Sequence, residues 1–130
     1  LDWNDVWYMR LFHRERTSTK QSLANTIFRR QFNNRAFLND PDVFFLRDEN
    51  IKLTAKQKDL LATLNALLGG VFLTSDNPSN YTEQQIEQYK YYRHLSQAEN
   101  IHTSMHGSTL TITYTLDDKN HTFTCDTRMF

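Results

Sequence analysis

The sequence predicts an α/β chain that ends in antiparallel β structure, and three observations predict it. Two capping boxes, Thr54-Ala55-Lys56-Gln57 and Thr82-Glu83-Gln84-Gln85, each precede apolar residues at helical spacing. A continuous apolar run, Val71-Phe72-Leu73-Thr74, follows Gly69-Gly70 directly, as a buried parallel strand would. From Thr109 onward the pattern switches to strict alternation of period two.

The first helix is expected from Ser18 or Thr19 to about Gln31. Leu23, Ala24, Ile27 and Phe28 share helical spacing behind a hydroxyl cap, and Asn33-Asn34 offers a stop. Arg35-Ala36-Phe37-Leu38 then reads as a short strand closed by Asn39-Asp40-Pro41-Asp42, because Pro41 removes a backbone donor and pushes Asp40 toward extended geometry. The second helix carries one leucine stripe, Leu60, Leu61, Leu64, Leu67 and Leu68, and ends at Gly69-Gly70. The strand Val71 to Thr74 closes in a second polar turn, Ser75-Asp76-Asn77-Pro78. A third helix follows on Ile86, Tyr89, Tyr92 and Leu95. Beyond about Asn100, Leu110, Ile112, Tyr114 and Leu116 alternate with Thr109, Thr111, Thr113 and Thr115. The turn Asp117-Asp118-Lys119-Asn120 and the return run His121, Phe123, Cys125 complete a hairpin, and the segment Thr103 to Gly107 reads as a connector.

Composition narrows the function classes. In 130 residues, 15 Lys and Arg balance 15 Asp and Glu, so no excess field exists to attract nucleic acid or an anionic membrane. Arg14, Arg16, Arg29, Arg30 and Arg35 beside Phe28 and Phe32 therefore read as a solvated helix face. No apolar run approaches the roughly 20 residues that span a bilayer, and Leu1-Asp2-Trp3-Asn4-Asp5 has neither the charged nor the apolar part of a signal peptide. A single cysteine, Cys125, suits a reducing compartment, and a cytoplasmic location is expected. Cys125 has no neighbouring base that would mark a nucleophile and reads as a small buried strand residue. His102 and His106 are four apart but lack a third ligand, so neither a metal nor any other cofactor is expected. Trp3, Trp7 and Tyr8 suit either a sugar platform or a packed aromatic cluster.

Strands alternating with helices, with acids at the strands' C-terminal ends, follow the logic of β/α barrels, whose sites are built from the βα loops. Asp40, Asp42 and Asp76 are the candidates on this argument, although the same residue types serve as ordinary turns and caps.

Asn39-Asp40-Pro41-Asp42-Val43, the leucine-striped helix and Gly69-Gly70-Val71-Phe72-Leu73-Thr74-Ser75-Asp76-Asn77 together resemble the seventh and eighth strands of the catalytic barrel of melibiase-type alpha-galactosidases. The run Arg14 to Arg30 is similar to that barrel's sixth helix. The resemblance implies the last two βα units of a TIM-like barrel over residues 1–100 and an antiparallel β appendage over 101–130. It implies retaining hydrolysis of terminal alpha-galactosides by two carboxylates roughly 5 Å apart. The family's nucleophile lies in a Lys-x-Asp motif after the fourth strand, a segment outside this sequence. Its acid/base lies in an Arg-x-x-x-Asp-Val pattern. Asp5-Val6 fits the end of that pattern, but Leu1 stands where the Arg belongs, so Asp5 is only a candidate acid/base and a loop or cap role competes. By the same resemblance Asp42 lines the sugar subsite as an acceptor, Asp40 orients the turn, Val43 lies against the ring, and Asp76 joins them. A full barrel takes about 250 residues, so a fragment inactive on its own is expected. Two strands with open edges, carrying Phe37, Leu38, Phe44, Phe45, Val71 and Phe72, would seek partners, and a homo-oligomer is expected. A noncatalytic oligomeric carbohydrate-binding or interaction module is the alternative reading.

Overall fold

The computed structural model describes residues 19–33, 35–41 and 43–129. Helix α1 spans Thr19–Arg29 and tightens into a 3-10 turn at Arg30–Phe32. A two-residue strand, β1 (Val43–Phe44), leads through a loop to α2 (Ala55–Leu68) and then to β2 (Leu73–Thr74). A 3-10 turn at Pro78–Asn80 precedes α3 (Glu83–Leu95), and three eight-residue strands follow: β3 (Glu99–His106), β4 (Thr109–Leu116) and β5 (Lys119–Asp126). β1 and β2 pair in parallel, Val43 with Leu73 and Phe44 with Thr74, joined by α2 as a parallel pair requires. β3, β4 and β5 form an antiparallel meander.

Both capping boxes form: the Thr54 and Thr82 hydroxyls accept from the Gln57 and Gln85 amides, and each glutamine side chain accepts from its own cap's N–H. Orphan donors at both helix starts are thereby paired. The hairpin turn carries positive φ at Asp117 and Asp118, 52° and 59°, which is the backbone that matches strand twist in a two-residue connection.

Several expectations are corrected. The first strand is not Arg35 to Leu38 but Val43–Phe44, so Asp40 precedes β1 instead of closing a strand before it. Phe37 and Leu38 stay 46% and 57% exposed, and Phe37 makes an isolated parallel bridge to Asn33 in place of a strand. The segment from Thr103 to Gly107 is no connector, since β3 runs through it, pairs with β4 and turns at Gly107; His102 and His106 thus sit on a strand, opposite Thr113 and Thr109. The missed signal is weak because β3 has no clean alternation and a bulge interrupts it between Glu99 and His102. Finally, α2 carries more than a stripe: every residue from Leu60 to Leu68 is buried. A helix buried all round is one wrapped on several sides, here by α1, β1 and α3.

The core joins both halves of the described chain. Leu23 and Ile27 of α1, the α2 leucines, Tyr92 and Leu95 of α3 and Leu110 and Ile112 of β4 form one cluster around Phe44 and Phe45, which are fully buried. Phe44 stacks on Phe72 at 4.4 Å between ring centroids, with Tyr89 and Tyr92 at 6.3 and 6.4 Å. Burial of each such ring or leucine stabilises the fold by about 1.5–3 kcal/mol. Ile86, expected on the buried side of α3, is 39% exposed, and Tyr89 and Tyr92 carry that packing instead.

Candidate functional site

The strand-end seam is built by β1, β2 and the loops that leave them. Thr74, the last residue of β2, donates its hydroxyl to the Phe44 carbonyl at 2.9 Å and accepts from the Asp76 amide at 3.1 Å. That turn swings the Asp76 carboxylate under the chain leaving β1. Its Oδ2 accepts from the Leu46 amide at 2.6 Å, the Arg47 amide at 3.2 Å and the Tyr81 hydroxyl at 2.8 Å. Oδ1 accepts from Arg47 Nη1 at 2.8 Å. The Asp76 side chain is 1% exposed and the Arg47 side chain 30%. A buried carboxylate held by one guanidinium and three further donors meets the condition under which a buried charge is tolerated.

Arg47 extends the seam. Its Nη1 also reaches the Ser75 carbonyl at 3.2 Å and hydroxyl at 3.3 Å, its Nε donates to the Glu49 carbonyl at 3.3 Å, and its guanidinium lies 4.9 Å from the centre of the Phe45 ring. Gln85 of α3 donates to the Leu46 carbonyl at 2.8 Å. Burial pushes the Tyr81 hydroxyl up to about 12, and its bond to the Asp76 carboxylate, which only the protonated phenol can make, adds to the rise.

A second hub sits at the other end of the same ladder. Asn39 is buried, and its side-chain amide donates to the Thr26 carbonyl at 3.0 Å and the Leu68 carbonyl at 3.1 Å. These carbonyls belong to the last turns of α1 and α2, where helices leave acceptors unpaired. The Asn39 amide donates to Asn33 Oδ1 at 2.9 Å and its carbonyl accepts from Gly70 at 2.7 Å. Gly69 and Gly70 are there for space. A Cβ on Gly69 would lie 2.6 Å from the Asn65 carbonyl and 2.9 Å from Pro41 Cγ, and one on Gly70 would lie 2.7 Å from Asn33 Oδ1 and 2.9 Å from Leu38 Cβ.

The residues expected to line one sugar subsite divide as follows. Asp76 lies level with Leu46, at the C-terminal end of the ladder, while Asp40 follows Asn39, which is level with Gly70 at the N-terminal end. The described structure therefore does not bring Asp40 and Asp76 together. Asp40 is exposed, and Val43 is half-buried and paired with Leu73. Asp42 and Asp5 lie outside the described residues. Sequence reasoning did not single out Arg47 or Tyr81; nothing in local spacing ties either to Asp76, whereas Asn39 stood in view inside its motif.

A polar cavity of about 640 Å³ opens near the Asn39 end, lined among others by Arg30, Arg35, Glu99 and His102. Arg30 is held there by the Thr103 hydroxyl and the Ile27 carbonyl. Two guanidiniums beside the carbonyl ends of α1 and α2 offset those helix dipoles, so the cavity reads as compensated structure. Cys125 is half-buried against the core, and burial followed by the neighbouring Asp126 pushes its thiol up, away from nucleophilic chemistry. Among the described residues no group of three or more His, Cys, Asp or Glu is placed to hold a metal, and no helix is long and apolar enough to cross a membrane. No family model and no solved structure matches this chain.

Proposed function

We propose that this chain is the C-terminal part of an alpha-galactosidase-like glycoside hydrolase, supplying the last two βα units of a TIM-like barrel and an antiparallel β appendage. The observation that carries the reading is the contact between its two motifs. Gly69 and Gly70 of the second motif pack on Pro41 and Asn39 of the first, closely enough that neither position has room for a side chain. The parallel pairing of β1 with β2 through α2 supports the same reading, since βαβ units are what such barrels repeat. In the complete enzyme the resemblance gives Asp42 and Val43 to the sugar subsite, while Asp40, exposed ahead of β1 at the N-terminal end of the ladder, is left with the turn it occupies. Asp76 fixes the strand ends from beneath. The two carboxylates of retaining hydrolysis come from the rest of the barrel, with Asp5 as the candidate acid/base within this chain.

Both edges of the β1–β2 pair and the exposed Phe37, Leu38 and Leu73 favour coverage by neighbouring strands in the full barrel, or by a second copy when the chain stands alone. A single half-buried cysteine favours a cytoplasmic setting.

The test replaces the matching segment of an alpha-galactosidase with this chain and assays a chromogenic alpha-galactoside. The chimera turns over and the 130-residue chain alone does not. A folded chimera without turnover overturns the family reading, and turnover by the chain alone overturns its inactivity.

A further inference from the structure

Helix α1 carries one apolar stripe, Leu23, Ala24, Ile27 and Phe28, and the described core takes up only part of it. Leu23 and Ile27 are 5% exposed, whereas Phe28 is 68% exposed. Along the same stripe lies a groove of about 160 Å³ where the two halves of the fold meet. Ala24, Ile27 and Phe28 of α1 line it with Leu64 of α2, Met105 of β3 and Cys125 of β5. A dry apolar space of about 150 Å³ holds one aromatic ring, so the groove is ring-sized. It begins at Lys20, the second residue of α1. Residues 1–18 lead into that helix at Thr19, and both tryptophans of the protein, Trp3 and Trp7, lie among them. Trp3, Trp7 and Leu11 recur every four residues, one row of a helical face.

We propose that the segment 1–18 folds back along α1 and seats the Trp7 ring in this groove, against Phe28 and Cys125. Chain connectivity selects this occupant. With Glu15 to Ser18 as the turn, a length usual for two antiparallel helices, Arg14 stands level with Thr19. Trp7 is seven residues before Arg14 and Thr26 seven after Thr19, so Trp7 comes level with Thr26 and Ile27, at the groove. The short tether holds the ring near its site at millimolar effective concentration, an advantage that neither a second copy nor a free apolar ligand has. Of the two roles open to Trp7, packed aromatic or sugar platform, the groove favours packing. A barrel that used Asp5 would draw the same residues to the strand ends. The docked arrangement therefore belongs to the chain standing alone and does not rest on the hydrolase reading.

The protein supplies both reporters for the test. In a Trp3→Phe background of the 130-residue chain, tryptophan emission comes from Trp7 alone, and Cys125, the single cysteine, reports the groove. The measurements are the emission maximum and the rate at which Ellman's reagent modifies Cys125. Emission typical of a buried indole, unchanged on dilution, is expected. Phe28→Ala moves it toward that of exposed tryptophan. Trp7→Ala speeds Cys125 modification about ten-fold by uncovering the groove, while Trp7→Phe stays within about two-fold. Phe28 is largely exposed, so its replacement keeps the fold, and backbone amide spectra check each variant. Exposed-indole emission from the unaltered background overturns the docking, as does a Cys125 rate unmoved by Trp7→Ala. Emission that reddens on dilution overturns it too, and gives the groove to a second copy. Should Trp7→Ala disturb the amide spectrum, Phe28→Ala decides, and no shift in emission overturns the proposal. Hydrolysis is not a readout, so loss of the hydrolase reading leaves the result standing.

Discussion

The Asp76 carboxylate receives the Leu46 amide at 2.6 Å, a bond across 30 residues of sequence that ties the loop leaving β2 to the loop leaving β1. Both loops exit the same end of a parallel pair, so one buried charge sets their spacing. Asp76→Ala strips four donors of their acceptor and leaves the buried Leu46 amide and the part-buried Arg47 amide unpaired, and is expected to cost about 3 kcal/mol. Arg47→Ala is expected to cost about 1 kcal/mol, because the guanidinium is partly in water and the amide bonds survive it. Urea midpoints of the two variants check the ranking; equal losses would show that the ion pair, not the backbone clamp, carries the seam.

Asn39 makes a sharper prediction. Its amide donates to two helix-terminal carbonyls. Asn39→Asp turns a donor into a second acceptor facing both and is expected to be more destabilising than Asn39→Ala, by about 1–2 kcal/mol. Denaturant unfolding of the pair tests this, and the reverse order would refute the donor role.

The glycines separate steric from conformational cost. Gly69→Ala meets two backbone carbonyls inside 3 Å at an ordinary φ of −82°, whereas Gly107→Ala meets nothing within 4 Å but sits at φ +59°. Gly107→Ala is expected to cost about 1 kcal/mol and Gly69→Ala distinctly more, since backbone must move. Gly107→Asn, which tolerates left-handed geometry, recovers most of the loss at that turn, while Gly69→Asn recovers none. Melting temperatures of the four variants decide it.

Tyr81 links stability to alkaline pH. Its folded value lies near 12 against an ordinary 10, so below pH 10 the phenol is protonated in both states and its contribution is whole. Between pH 10 and 12 the unfolded chain loses the proton while the folded chain keeps it, and stability falls as pH rises through that window. Tyr92 adds to the fall in the same direction, its hydroxyl raised by burial and by its bond to Asp59. Tyr81→Phe is expected to be less stable at neutral pH and to show a shallower alkaline decline. Thermal unfolding measured across that range checks both, and an unchanged slope would remove Tyr81 from the linkage.

The helices and the hairpin were legible because their signals are local. Thr54 with Gln57, Thr82 with Gln85, and the Thr alternation of β4 each place partners within one turn or one strand. The first strand was not legible, because Phe37 and Leu38 are as apolar as Val43 and Phe44, and only pairing with Leu73 and Thr74 decides which pair is in the ladder. Strand β3 was hidden by its bulge and mixed polarity. The site divided in the same way. Sequence by itself determined that Asn39, Pro41, the two glycines and Asp76 belong to turns where chain direction changes, since those residue types restrict or free the backbone. Only the tertiary structure decided what they do there. Asn39 caps two helices, Gly69 and Gly70 admit a neighbouring chain, and Asp76 is buried under Leu46 and Arg47 instead of facing out beside Asp40. The reason is physical: a buried donor or acceptor is satisfied by whatever group folding brings within about 3 Å, and that group lies up to 30 residues away, beyond the reach of any local pattern.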